Sequence, residues 1–146
     1  MSVSNPQPAR ILVIEDSRAD IYLLRHALDQ HSEPYELEVL RDGAEALKFI
    51  AAQRDRPEPR PCVIVLDLHL PKHDGVTVLE AIKRAPALLH IQVVALSSFA
   101  SPHAEAEIRA LGVRRYCEKP SELDAWIALA GDLFAICRET PHLSMA

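Results

Sequence analysis

The fold is decided by one segment, Cys62-Val63-Ile64-Val65-Leu66-Asp67-Leu68-His69-Leu70-Pro71, in which an apolar run ends on a single carboxylate. Unbroken hydrophobicity rich in Val and Ile is typical of a strand that is buried on both faces, as in a parallel sheet. An earlier run, Arg10-Ile11-Leu12-Val13-Ile14, ends in the same way on Glu15 and Asp16. Open α/β sheets bind ligands at the carboxyl ends of their strands. We therefore expect three carboxylates to meet at one sheet edge and to need a cation.

Length and composition limit the classes of protein that this chain can belong to. Its 146 residues, 49% of them hydrophobic, fit a single domain with a sizeable core. The net charge of −5 argues against direct binding to nucleic acid, because phosphate contacts need a basic surface. No apolar stretch approaches the roughly 18 residues of a membrane span, and the first residues lack the apolar core of a signal peptide. These features predict a cytoplasmic protein with no membrane partner.

The cysteines do not indicate a metal site. Cys62, Cys117 and Cys137 show no CxxC spacing, and no histidine pairs with them at zinc-ligand spacing. Cys62 opens a buried strand and Cys137 lies on an apolar helix. Both are therefore expected to be small core residues in a reducing compartment.

The rest of the chain alternates between strand and helix patterns. Five strands alternating with five helices predict an α/β fold, a doubly wound parallel sheet covered by helices on both faces. Residues 10–138 form the predicted domain, with an extension at 1–9 and a tail at 139–146. The predicted strands are 10–14, 35–40, 62–66, 91–96 and 115–117, and residues 53–61 are a predicted exposed loop. The predicted helices are 17–31, a short helix after Asp42-Gly43 that carries Ala46, Leu47 and Ile50, a helix that carries Val76, Leu79 and Ile82, and then about 102–111 and 121–138.

Four strand ends carry polar side chains in an order that is characteristic. They are Glu15-Asp16 after the first strand, Asp67 after the third, Ser97 after the fourth and Lys119-Pro120 after the fifth. With Asp74-Gly75 after the third strand, this set resembles the receiver domain of bacterial two-component response regulators, over Arg10 to about Arg138. The resemblance implies a flavodoxin-like (βα)5 fold.

The resemblance also implies a role for each of these residues. Asp67 would accept a phosphoryl group from a phosphohistidine of a partner histidine kinase. Asp16 and Asp67 would bind Mg²⁺ directly, Glu15 through water, and His69 through its backbone carbonyl. Lys119 would neutralise the phosphoryl oxygens, and Ser97 would donate its hydroxyl to one of them. Tyr116 would be the aromatic side chain that moves when the hydroxyl moves.

Two residues depart from the pattern that is usual in receivers. Ser97 stands where threonine is more frequent, which keeps the hydroxyl and loses a methyl group. Phe99 is bulky at a position that, in receivers, flanks the path of water to the phosphoryl group. Several phrases, among them Glu15-Asp16-Ser-Arg-Ala-Asp20 and Arg41-Asp42-Gly43, are similar to stand-alone receivers that partner bacterial phytochrome histidine kinases.

Two other functions use parts of the same pattern. A phosphatase of the haloacid dehalogenase type also has an aspartate nucleophile after a parallel strand, but it needs a second aspartate where His69 stands here. A receiver fold could instead serve as an adaptor that works without phosphorylation, although such a protein would have no need of the acidic pair, Asp67 and Lys119. The favoured function is a phosphoacceptor signalling protein and not a conventional enzyme.

The final helix suggests a self-association surface. No output domain is expected after Arg138, so the protein would act by contact with an unidentified protein target. From Leu123 to Ile136 apolar residues cover much of the helix circumference, more than one buried stripe requires. We expect the surplus face to form a two-fold homodimer, while a helix seated deeply in the domain is the alternative.

Overall fold

A computed structural model describes residues 7–55, 59–72, 74–98 and 101–139. Five strands form one sheet in the order β2-β1-β3-β4-β5, and every neighbouring pair is parallel. The predicted doubly wound α/β fold is thereby confirmed. The strands are β1 (Ala9–Ile14), β2 (Tyr35–Leu40), β3 (Val63–Asp67), β4 (Gln92–Ser97) and β5 (Arg115–Glu118), and the helices are α1 (Arg18–Asp29), α2 (Gly43–Ala52), α3 (Gly75–Arg84), α4 (Pro102–Ala110) and α5 (Leu123–Glu139).

The sheet separates two apolar cores because side chains alternate along each strand. In β1, Ile11 and Val13 face α1 and α5, whereas Leu12 and Ile14 face α2 and α3. All five residues of β3 are buried, as the unbroken apolar run predicts for a central strand covered on both sides. The charged residue at the end of β3 is therefore held by a rigid scaffold.

Side-chain caps fix the start of the first four helices, close to the carboxyl edge of the sheet. Ser17, Asp42, Asp74 and Ser101 accept hydrogen bonds from the backbone of α1, α2, α3 and α4 respectively. Gly75 opens α3 against the end of β3, where any Cβ would overlap the backbone of Leu68. These contacts fix the loops that surround the carboxyl edge of the sheet.

The expectation of a surplus apolar face on α5 is wrong. Most large apolar side chains of this helix are buried in the core that it shares with α1, and Leu123, at 39% exposure, is the one large apolar side chain of α5 that lies open to solvent. The helix pattern is broad because α5 packs on the sheet and on α1 at once. The buried residues are Trp126, Leu129, Ala130, Leu133, Phe134 and Ile136.

Two smaller expectations also need correction. Residues 53–55 form a short 3-10 helix with Gln53 buried, so the predicted loop begins with ordered structure. Cys62 and Cys137 are bonded as a disulfide, not separate core thiols, with Cα atoms 5.2 Å apart. The spacing of cysteines in the sequence gives no sign of this pair, because the start of β3 and the end of α5 meet only in the fold.

No helix in the described part of the chain is long and apolar enough to cross a membrane.

We predict that a reductant destabilises the oxidised protein. The disulfide spans 75 residues, and opening a loop of this length restores chain entropy to the unfolded state. Reduction, or the substitution Cys62→Ser, should lower the unfolding free energy by about 2–4 kcal/mol and Tm by roughly 5–15 °C. Calorimetry with and without reductant measures the change. Cys117→Ser is the matched control and should keep the full response to reductant; a wild-type Tm that ignores reductant would contradict the prediction.

Candidate phosphoacceptor site

The parallel register brings the predicted polar residues to one edge of the sheet. Ile14 pairs with Leu66, Asp67 pairs with Leu96, and Ser97 pairs with Glu118. Glu15, Asp67, Ser97 and Lys119 therefore follow or end neighbouring strands at the same level. All four are largely withdrawn from solvent, with Glu15, Asp67 and Ser97 at 2–3% exposure.

The Lys119 ammonium lies among three carboxylates. Its Nζ atom is 2.8 Å from Glu15 Oε1, 2.8 Å from Asp20 Oδ2 and 3.3 Å from Asp67 Oδ2. Burial alone would lower the pKa of Lys119, but its hydrogen bonds to Asp20 and Glu15 outweigh burial and raise that pKa. The lysine therefore stays charged at any physiological pH.

Asp20 is a member of this cluster that the strand-end pattern does not find. It lies in the first turn of α1, and its backbone N–H donates to the Ser17 cap. Its carboxylate reaches Lys119 across 99 residues of sequence. In the sequence it appears only as the last residue of the phrase Glu15-Asp16-Ser-Arg-Ala-Asp20, which gives no sign of a contact with Lys119.

The surroundings of Glu15 in the site raise the pKa of its carboxyl group. Burial, followed by its hydrogen bond with the Asp67 carboxylate, raises the pKa of Glu15 to about 7, against a lowering effect of Lys119. The Ser17 backbone N–H donates to Glu15 Oε2 at 3.2 Å. One ammonium is thus insufficient to neutralise the carboxylates around it.

A cation site can be built from three of these acids. Single oxygen atoms of Glu15, Asp16 and Asp67 lie within 4.8 Å of one another, and Asp16 is exposed to solvent. This is the one such group of metal-ligating side chains within the described ranges. An all-oxygen, part-solvated donor set suits a hard divalent cation that keeps some of its waters. The donor chemistry therefore fits Mg²⁺, with Asp16 open to the solvent side.

Ser97 is held from two directions. Its backbone carbonyl accepts from the Lys119 N–H at 2.8 Å, and its Oγ lies 3.2 Å from Nε2 of His69. The His69 backbone N–H in turn donates to Asp67 Oδ1 at 2.9 Å. The Asp67 carboxylate, the Ser97 hydroxyl and the Lys119 backbone are thereby linked through short contacts.

Tyr116 lies in β5 beside Ala95 and is buried at 8% exposure. Its ring belongs to the core cluster that also contains Ile108 of α4, and its hydroxyl is buried without a hydrogen-bond partner. A buried hydroxyl without a partner costs about 1–3 kcal/mol, which offsets part of the stabilisation from burying the ring. Phe99 lies outside the described residues.

Comparison with known proteins identifies the family of this chain. The family model described as the response regulator receiver domain matches residues 11–130. The chain belongs to the response regulator receiver family. Its relatives include response regulator Rcp1 of Synechocystis sp., which is 38% identical over 98% of this chain and 97% of the relative.

Two solved structures of phytochrome response regulators are similar to this chain. The phosphorylated cyanobacterial phytochrome response regulator RcpA superposes with a TM-score of 0.78 at 34% identity, over 94% of this chain and 99% of RcpA. The Mn²⁺-bound form of Rcp1 superposes with a TM-score of 0.75 at 34% identity, over 93% and 99% of the two chains. The family and its similarity to phytochrome response regulators, which the sequence motifs predict, are confirmed.

We predict that the metal-free protein loses stability as the pH rises from about 4.5 to about 7. Glu15 has a higher pKa in the folded state than in the unfolded one, so the folded state binds more protons in this window. The shift corresponds to an unfolding free energy that falls by on the order of 2–3 kcal/mol across it. Urea unfolding in EDTA at several pH values measures this.

The control for this prediction is Glu15→Gln, which removes the titrating group. Its unfolding free energy should change less than that of the wild type across the same window. An equal pH dependence in both proteins would show that Glu15 is not the group responsible.

Proposed function

We propose that this protein is a two-component response regulator that accepts a phosphoryl group on Asp67 in a Mg²⁺-dependent reaction. The observation that carries the proposal is the buried Asp67 carboxylate beside both the Lys119 ammonium and the acidic cluster of Glu15 and Asp16. A nucleophile, a counter-charge and a cation site meet in a single pocket. Membership of the receiver family supports the same conclusion.

The chemistry is a transfer between two nucleophiles. An oxygen of Asp67 attacks the phosphorus of a phosphohistidine, the P–N bond breaks as the P–O bond forms, and the electron pair returns to the imidazole nitrogen. Mg²⁺, when bound by Glu15, Asp16, Asp67 and the backbone carbonyl of His69, would stabilise negative charge on the phosphoryl oxygens. Lys119 supplies a further positive charge there, and Ser97 donates a hydrogen bond to the same group.

Phosphorylation of Asp67 would change the surface of the protein through the backbone at the carboxyl edge of the sheet. The Ser97 carbonyl accepts from the Lys119 N–H, so a shift of Ser97 is passed to the start of the loop after β5. Tyr116 lies three residues before Lys119 and has a hydroxyl without a partner in its buried position. We propose that Tyr116 changes its position with Ser97 and alters the surface of α4, β5 and α5.

A groove next to the site suits a protein phosphodonor. It has a volume of about 330 Å³ and lies between α1 and β2, with a floor of Ile21 and Val39 and with Tyr22 among its walls. Three arginines also line it, and none has a carboxylate at ion-pair distance among the described residues. We propose that this surface binds acidic side chains of the donor, a histidine kinase of the phytochrome class. The arginines are Arg18, Arg25 and Arg41.

The cytoplasm is the proposed compartment, since this is where a kinase that uses ATP would meet the regulator. Thiols are kept reduced there. The Cys62–Cys137 pair would then exist mainly as dithiol in the cell and close into the disulfide on oxidation. The two alternatives are less well supported: the position of a phosphatase's general acid holds His69, and a phosphorylation-independent adaptor has no use for a pocket of this charge.

We predict that acetyl phosphate labels wild-type protein with one phosphoryl group in the presence of Mg²⁺ and not in EDTA. Asp67→Asn should abolish labelling because the amide is not a nucleophile of comparable strength. Intact-protein mass spectrometry measures the product. Asp124→Asn, on the exposed start of α5, is the matched control and should label like wild type. Stoichiometric labelling of Asp67→Asn would refute the assignment of the acceptor.

We further propose that phosphorylation promotes a two-fold homodimer through α4, β5 and α5. Because α5 buries its large apolar residues, this interface would depend on Leu123 and on charged groups such as Arg115 and Asp132, which pair with each other in the monomer. Light scattering at micromolar concentration, with a phosphoryl mimic bound, should give a dimer mass. Leu123→Asp should give a monomer, while Leu89→Asp, at an exposed site outside this surface, should not change the mass. A monomeric wild type with and without the mimic would contradict the dimer.

A further inference from the structure

The imidazole of His69 covers the hydroxyl of Ser97. Nε2 of His69 lies 3.2 Å from Ser97 Oγ, which is hydrogen-bond distance. His69 itself is exposed to solvent, whereas Ser97 beneath it is 2% exposed. The contact joins the loop after β3 to the end of β4, next to the acceptor carboxylate.

His69 also touches the acceptor, through a different part of the residue. Its backbone N–H donates to Asp67 Oδ1 at 2.9 Å. This bond fixes the chain direction after Asp67 and leaves the side chain to reach Ser97. One residue therefore contacts both the nucleophile and the hydroxyl that the proposed mechanism assigns to the phosphoryl group.

A serine hydroxyl has a single proton and few positions in which it can make a good hydrogen bond. In either tautomer of His69, the bond to Nε2 holds Oγ where the imidazole lies. If Ser97 moves to contact a phosphoryl group on Asp67, this bond is lost. In the proposed mechanism, phosphorylation would therefore remove a hydrogen bond that this structure contains.

We propose that the His69 side chain is a positioning residue that holds Ser97 in the unphosphorylated conformation and so opposes the switch. The inference rests on the proposed function, because it concerns the hydroxyl that would bind the phosphoryl group. The net worth of a single hydrogen bond sets the size of the effect. Its removal should favour the activated state about 3- to 10-fold.

The test uses beryllofluoride, a stable mimic of the phosphoryl group on aspartate, at saturating Mg²⁺. Binding is followed by ¹⁹F NMR and its affinity by calorimetry. His69→Leu keeps an apolar cover over Ser97 without the hydrogen bond, and it should bind beryllofluoride about 3- to 10-fold more tightly than wild type. His69→Gln places an amide near the position of Nε2 and should bind like wild type.

A double-mutant cycle separates positioning from a general structural effect. In a Ser97→Ala background the His69→Leu substitution should no longer change the affinity, because the hydroxyl that His69 holds is absent. His90→Leu, at an exposed histidine before β4, is the control and should bind like wild type.

The outcomes distinguish this inference from the function on which it rests. A wild type that binds beryllofluoride, with His69→Leu unchanged or weaker, overturns the positioning role and leaves Asp67 as the acceptor. An equal gain in the wild-type and Ser97→Ala backgrounds also overturns it. Absence of Mg²⁺-dependent beryllofluoride binding by the wild type would overturn both proposals.

Discussion

The contact between the Lys119 ammonium and three carboxylates is the interaction on which the site depends. Glu15, Asp20 and Asp67 come from the end of β1, the first turn of α1 and the end of β3, and all three lie within 3.3 Å of Nζ. Buried carboxylates at such distances repel one another strongly without a counter-charge. Lysine relieves part of this repulsion and lowers the pKa of Glu15, but burial and the hydrogen bond with Asp67 together still raise that pKa to about 7. Oxygen atoms of Glu15, Asp16 and Asp67 lie close together beside this lysine, in the arrangement that we propose as a cation site.

The sequence predicts the strand-end residues well because a parallel sheet leaves little freedom at its carboxyl edge. Glu15, Asp67, Ser97 and Lys119 each end or follow an apolar run, so their meeting follows from topology alone. Asp20 is not predicted in this way because its side chain reaches the site from a helix. Helix periodicity does not indicate which neighbours a polar side chain will contact. The same limit explains α5: its wide apolar arc reads equally as an interface or as a deeply packed helix, and only the packing against α1 and the sheet decides.

The backbone connects the pocket to the distant surface with few intermediate steps. Ser97 of β4 pairs with Glu118 of β5, and its backbone carbonyl accepts from the Lys119 N–H. Tyr116 lies in β5, two residues before Glu118. The buried hydroxyl of Tyr116 has no hydrogen-bond partner, which offsets part of the stabilisation from burying its ring. In the proposed switch, a small displacement of Ser97 would be passed along these contacts to the surface of α4, β5 and α5.

We propose that Lys119 and a divalent cation share two carboxylates, those of Glu15 and Asp67. Thermal unfolding of Lys119→Met at pH 8, where Glu15 is largely ionised, tests this in EDTA and in millimolar Mg²⁺. We expect the variant to be destabilised in EDTA by roughly 2–4 kcal/mol, since buried carboxylates lose their partner. We also expect Mg²⁺ to stabilise the variant more than it stabilises the wild type. A variant as stable as wild type in EDTA, or one that gains no more than wild type from Mg²⁺, would show that the lysine and the cation do not share these carboxylates.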